Sequence, residues 1–180
     1  MVLMNEMLSR AAARTVNVVR GIREDQYGLP TPCAEYDVRT LLGHLSWVAL
    51  MFEALADKKP MPPEDNEPGA LESRVEGMVA GWSKQEAFEG ESPGMGLPMT
   101  VVFQMGLGDL VFHGWDLARA TGQDYEVDKE TGEAMFVYAE QMAPMARQNG
   151  VFGDEVAVPQ DAPHFERALG LTGRDPGWKP

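Results

Sequence analysis

Three ionisable residues, His44, Asp109 and His113, have the types and spacing that could hold a metal ion. Asp109 and His113 are four residues apart, so in a helix their side chains lie one above the other on one face. The same face carries Val102 and Gly106, which places both ionisable groups in a stripe that should be buried. Burying an unpartnered carboxylate costs on the order of several kcal/mol. A divalent cation would satisfy both groups at once.

His44 is the candidate for a third ligand. Metal sites that keep open coordination positions usually have three protein ligands, and His44 lies at the edge of the apolar face of another predicted helix, aligned with Leu41 and Val48. The remaining histidine, His164, lies in the C-terminal tail. Spacing alone leaves an alternative open, in which the three residues form a buried polar cluster without metal.

Two further residues near these positions could take part in the chemistry. Asp116 follows His113 by three residues and could orient the site as a hydrogen-bond acceptor, or it could instead bond a loop or a neighbouring helix. Cys33 precedes a predicted helix by a few residues, where a thiol can have a lowered pKa, or it is a small packed residue. The glycines in GMGLP and GLGD do not follow the strand-to-helix pattern of a phosphate-binding loop.

Five segments with helical periodicity must position these residues. The first covers about 5–22, and the second begins at Asp37 as N-cap and ends before the loop KKPMPPEDNEPG. The others cover about 70–87, 99–121 and 129–147, with Gly122 as a C-cap. The tail contains an extended piece, VAVP, and a short helix at about 164–169. We therefore predict an all-α fold, an antiparallel four-helix bundle with a short C-terminal covering segment, forming a single domain over residues 1–180.

The composition narrows the class of protein. A formal net charge of -13 argues against nucleic-acid binding and against adsorption to an anionic membrane surface. No apolar run approaches the roughly 20 residues of a transmembrane helix, and the first residues lack the pattern of a signal peptide. The single cysteine excludes an internal disulfide framework and fits a reducing compartment. We expect a cytoplasmic protein.

The segments PTPCAEYDVRTLLGHL (30–45) and HGWDLARATG (113–122), together with the ending ALGLTGRDPGW, resemble the mycothiol-dependent maleylpyruvate isomerase N-terminal domain family. This family is an actinobacterial branch of the DinB-like metal-binding bundles. The resemblance implies a metal site made by a histidine of the second helix and an acid-x-x-x-His pair of a later helix, which correspond to His44, Asp109 and His113. The acidic position is usually Glu, and Asp109 has a shorter reach. The isomerase also has a second domain that this chain is too short to contain, so we do not expect that particular activity.

The resemblance further implies one divalent metal ion, zinc foremost with nickel or another ion as the alternative, and a low-molecular-weight thiol such as mycothiol as cosubstrate. The leading hypothesis is a metal-dependent thiol S-transferase or isomerase that acts on a small electrophilic substrate. A non-catalytic metal-binding module in stress response or sensing is the alternative. We expect a small molecule as partner rather than nucleic acid or membrane, and exposed tryptophans would suit a homodimer.

Overall fold

Helices make up the secondary structure of residues 2–180, the part of the chain that the computed structural model describes. The six α-helices of this range are α1 (Val2–Arg20), α2 (Val38–Ala56), α3 (Leu71–Trp82), α4 (Met99–Thr121), α5 (Lys129–Gln148) and α6 (His164–Leu171). Within it, β-structure is limited to two isolated bridges, Pro30–Asp37 and Glu91–Pro98. The predicted all-α fold class is confirmed.

The first four helices surround the core. Both α1 and α2 pack against α3 and against α4. The largest side chains between them, Phe52, Trp82 and Phe103, are almost completely buried. Helices α5 and α6 pack mainly on each other, and residues such as Met135 and Leu169 join them to the same hydrophobic core. The antiparallel order of the four helices stays a prediction.

Local sequence determines where the two site-bearing helices begin and end. The Asp37 carboxylate caps α2 by accepting a hydrogen bond of 2.7 Å from the backbone N–H of Thr40. Gly122 ends α4 in the left-handed conformation, with φ of 70°. Both boundaries agree with the sequence prediction, which placed Asp37 at the cap and Gly122 just past the end.

The third helix is shorter than predicted. It ends at Trp82 rather than near residue 87, and a short 3-10 helix follows at Gln85–Phe88. Lys84 has extended backbone angles, which interrupt the helix. The change of direction lets the Phe88 ring pack at 5.4 Å from the Trp82 ring, so aromatic burial outweighs continuation of the helix.

One helix meets the length and composition of a membrane span, although the sequence analysis expected none. Helix α2 has a mean hydropathy of 1.2 over its most apolar window, but 56% of that window is buried inside the protein. Its apolar residues contact other helices, as expected for the core helix of a soluble bundle. All four tryptophans are buried or half-buried, so the exposed tryptophans expected at a dimer interface are not found.

Candidate metal site

The loop before α2 contacts His44, a half-buried residue of α2. The Thr31 hydroxyl donates hydrogen bonds to the backbone carbonyls of Cys33 and Tyr36, at 2.9 and 2.8 Å. This closes the PTPCAEY turn against the start of α2. The Tyr36 ring then stacks on the His44 imidazole, with 5.0 Å between the ring centres. The stacking limits the orientations available to His44.

Helix α4 supplies Asp109 and His113 from the face that packs towards α2. Gly106 permits this close approach, because a Cβ atom there would lie 2.9 Å from the Phe52 ring of α2. One turn later the helix carries Asp109 and then His113. The His113 side chain is nearly buried, whereas a third of the Asp109 side chain remains accessible.

The structure brings the three predicted ligands together. One donor atom from each of His44, Asp109 and His113 lies within 4.8 Å of the others. His113 Nε2 and Asp109 Oδ1 are 3.7 Å apart, close to the roughly 3.4 Å between donors of a tetrahedral ion with bonds of about 2.1 Å. The imidazoles of His44 and His113 are nearly perpendicular, with 5.2 Å between ring centres. Two imidazoles and one carboxylate in this arrangement fit a divalent ion such as zinc.

The electrostatic state of the cluster also suits a cation. Burial, and the neighbouring His113, lower the pKa of His44 to about 4, so its imidazole is neutral at pH 7 and keeps a free lone pair. Burial raises the pKa of the Asp109 carboxyl, although a third of its side chain is accessible where it lines the cavity. A positive charge between these side chains would relieve the unfavourable burial of the Asp109 carboxylate.

Asp116 supports the cluster from behind. A hydrogen bond of 3.0 Å joins His113 Nδ1 and Asp116 Oδ2, and the completely buried carboxylate also pairs with Arg174. Both roles considered for Asp116 therefore occur together: it bonds a ligand candidate and also a distant segment. Sequence reasoning missed Arg174. A buried carboxylate at Asp116 required a cationic partner, but helical periodicity gives no distance between α4 and the C-terminal tail.

A cavity of about 680 Å³ opens beside the three ligands. Aromatic side chains form much of its wall: Tyr36, Trp47, Phe112 and Phe152. Cys33 also lines the cavity, where burial raises the pKa of its thiol to about 11. The alternative of a lowered pKa at a helix N-terminus is therefore wrong for Cys33. The wall from residues 150–153 was not predicted, because it is contributed by an irregular loop.

His164 lies away from this cavity. It begins α6, where its Nδ1 is 3.9 Å from Glu133 Oε1 and its ring lies beside Phe136. It is not among the residues that line the cavity. His164 therefore does not close the site as a fourth ligand in this structure.

Comparisons with known proteins show which proteins this chain is similar to. An uncharacterized protein of Mycobacterium tuberculosis, found in two strains, is 28% identical to this chain, with 92% of the chain and 94% of the relative covered. No solved structure gives a significant match. The family model of the mycothiol maleylpyruvate isomerase N-terminal domain matches residues 8–92, a range that includes His44 and ends before Asp109. Over residues 8–92 the chain is thus similar to the mycothiol maleylpyruvate isomerase N-terminal domain family, the family that its sequence was predicted to resemble.

Proposed function

We propose that this chain binds one divalent metal ion through His44, Asp109 and His113, and that it acts as a metal-dependent thiol S-transferase or isomerase. The observation that carries the proposal is the convergence of three donor atoms within 4.8 Å on the wall of a cavity of about 680 Å³. A buried structural ion needs no such cavity beside it. The open space is large enough for a small substrate.

A bound divalent ion lowers the pKa of a thiol or water that it coordinates, and so supplies a nucleophile at neutral pH. The protein's own thiol does not suit this role, because Cys33, with a pKa of about 11, is protonated at pH 7. Metal-bound water or an external thiol is then the nucleophile. We propose the thiol, and mycothiol in particular, because the family description names it. In transfer, the thiol sulfur bonds to an electrophilic carbon, the thiol proton passes to solvent and the leaving group departs. In isomerisation, the sulfur adds and is then eliminated.

Zinc is the ion we propose first, because two imidazoles, a carboxylate and open positions are typical of its catalytic sites. Nickel is the alternative, since imidazole ligands suit it as well. The aromatic wall of the cavity favours a small substrate with apolar surface. The proposal includes a cytoplasmic location, since a cytosolic thiol is required. A homodimer remains a prediction.

Metal content of untagged protein, measured by elemental mass spectrometry, tests the binding step. We expect close to one divalent ion per chain, lost in His44→Ala and in His113→Ala. His164→Ala is the matched control, because it removes the third histidine, which lies outside the cavity. A metal-free wild type that stays folded and cannot be reconstituted would instead favour the buried polar cluster.

Activity is tested separately, with metal-loaded protein, a low-molecular-weight thiol and a panel of electrophiles. Turnover that needs both the thiol and the metal, and that disappears in His113→Ala, is the expected result. Metal binding without turnover on any electrophile would favour the non-catalytic metal-binding module.

A further inference from the structure

Arg174 reaches the back of the candidate metal site from the C-terminal segment. Its guanidinium donates two hydrogen bonds to the Asp116 carboxylate, from Nε to Oδ1 at 2.9 Å and from Nη2 to Oδ2 at 2.8 Å. Nη1 donates to the Thr172 hydroxyl at 3.1 Å. Asp116 is fully buried and Arg174 is 8% exposed. This is a buried, bidentate ion pair, the geometry in which an arginine fixes a carboxylate most rigidly.

The same carboxylate determines which nitrogen of His113 carries its proton. An ionised carboxylate can only accept hydrogen bonds. Asp116 is such an ionised carboxylate, because it accepts two hydrogen bonds from the buried Arg174 guanidinium. The 3.0 Å contact between His113 Nδ1 and Asp116 Oδ2 therefore requires the proton on Nδ1. Nε2 then has its lone pair free on the side of Asp109, whose Oδ1 is 3.7 Å away.

We infer that Arg174 is a positioning residue, which clamps Asp116 so that His113 presents the lone pair of Nε2 to the metal. This inference rests on the proposed metal site. It makes the C-terminal segment after α6 part of the site, although that segment supplies no ligand. Carboxylate partners of this kind orient metal-binding histidines and strengthen their binding.

Two other roles for Arg174 fit the structure less well. Among the residues that the structure describes, it is the only lysine or arginine that lines the cavity, which could suggest a site for an anionic substrate. However, Nε, Nη1 and Nη2 are already bonded to Asp116 or Thr172. If Arg174 served only to hold the C-terminal segment against α4, replacing it would leave the tautomer of His113 unchanged. The tautomer is therefore the property that separates positioning from packing.

The test compares Arg174→Gln and Arg174→Lys with wild type and with the matched control Arg147→Gln. Arg147 also holds the C-terminal segment, by donating to the Leu171 carbonyl at 2.7 Å, but it makes no bond to Asp116. The first readout is the His113 tautomer in metal-free protein at pH 8, from long-range proton–nitrogen NMR. The second is zinc affinity, from competition with a chelator. Circular dichroism verifies that each variant is folded.

We expect wild type and Arg147→Gln to carry the proton on Nδ1 of His113. In Arg174→Gln the two tautomers should mix, and zinc affinity should fall by about 10- to 100-fold. Arg174→Lys keeps the positive charge but cannot form the bidentate hydrogen bonds to Asp116, so we expect an intermediate loss of zinc affinity. If Arg174→Gln does not fold, Arg174→Lys decides the matter by the same two readouts.

The positioning role would be overturned if Arg174→Gln left the His113 tautomer unchanged and kept zinc affinity within about twofold of wild type. If Arg174→Gln does not fold, the same criterion applies to Arg174→Lys. An equal loss in Arg147→Gln would overturn it as well, because the tail alone would then explain the effect. If wild type binds no zinc but its tautomer depends on Arg174, the proposed function fails and the positioning of His113 stands. If zinc binds normally in every variant, the proposed function stands and this inference fails.

Discussion

The Asp109 carboxylate is expected to favour metal binding but to lower the stability of the metal-free protein. Burial raises the pKa of its carboxyl, so the folded metal-free protein holds that proton more tightly than the unfolded chain does. Its contribution to stability is therefore most favourable below the unfolded pKa and declines as pH rises through the folded pKa. Asp109→Asn should raise the stability of the metal-free protein at pH 7 by roughly 1 kcal/mol, while zinc affinity falls. Urea denaturation in the presence of a chelator measures the first effect.

Asp124→Asn is the control for this substitution, because Asp124 is an exposed carboxylate. It should leave both stability and zinc affinity nearly unchanged. A less stable metal-free Asp109→Asn protein would show that the carboxylate is already well compensated without a cation. The case for a metal ion at this position would then lose its energetic basis.

Cys33 allows a clean chemical test, since it is the single cysteine of the chain. Burial raises its pKa to about 11, and only the thiolate reacts with alkylating agents. Alkylation by iodoacetamide should be slow at pH 7 and should accelerate about tenfold for each pH unit until about pH 11. The same thiol in urea should react as an ordinary cysteine, with a pKa of about 8.5. Rapid alkylation of folded protein at pH 7 would contradict the assignment of the nucleophile to an external thiol.

At the scale of elements, Asp128 connects α5 to α1. Its carboxylate caps α5 by accepting from the backbone N–H of Thr131 at 3.0 Å, and it pairs with Arg14 at 3.1 Å. Burial opposes ionisation, but the hydrogen bonds from Thr131 and Arg14 prevail and lower the pKa of Asp128 to about 2. Its contribution to stability is thus present above the ordinary pKa of 3.8 and is lost as pH falls towards 2. Asp128→Ala should cost about 1–2 kcal/mol at pH 7.

The measurement is urea denaturation of Asp128→Ala and wild type at several pH values. The difference between them should shrink as pH falls from 4 to 2, since the protonated carboxyl of the wild type loses the same bonds. Asp161→Ala, an exposed tail residue, serves as the control. A difference that stays constant over this range would show that Asp128 acts through packing rather than through its charge.

The segment after α5 and the segment after α6 come into contact at Gly153 and Gly173, beside the cavity. Gly173 has φ of 86°, and a Cβ atom there would lie 2.7 Å from the Gly153 Cα. Gly150 also has a positive φ, 70°, but a Cβ atom there would have nothing within 4 Å. A substitution at Gly150 therefore measures the cost of the backbone conformation without any steric clash. Gly150→Ala should cost roughly 1 kcal/mol, and Gly173→Ala should cost clearly more. Equal losses of stability by urea denaturation would show that the crossing can relax.

For the whole molecule, much of the candidate ligand set could be predicted because two of its three residues lie on one helix. The four-residue spacing of Asp109 and His113 requires only that α4 is helical, and the structure has a helix over Met99–Thr121 as predicted. His44 was chosen because it lies at the edge of the apolar face of another predicted helix, and the resemblance to the family gave the same residue. Periodicity alone does not say which helices face each other. Arg174 and the loop at residues 150–153 lay beyond prediction. Their positions depend on how irregular backbone packs on the bundle, which no residue spacing encodes.

The net charge of -13 should make the stability of the whole molecule depend on salt. Like charges repel one another more strongly in the compact state than in the expanded chain. Raising sodium chloride from 0.01 to 0.15 M shortens the screening length from about 30 to about 8 Å, so the melting temperature of the metal-free protein should rise. Glu86→Lys with Glu126→Lys, two exposed positions, should flatten this dependence. A melting temperature that falls with salt would mean that attractive ion pairs, such as Arg20 with Glu72 on the surface, outweigh the excess of negative charge.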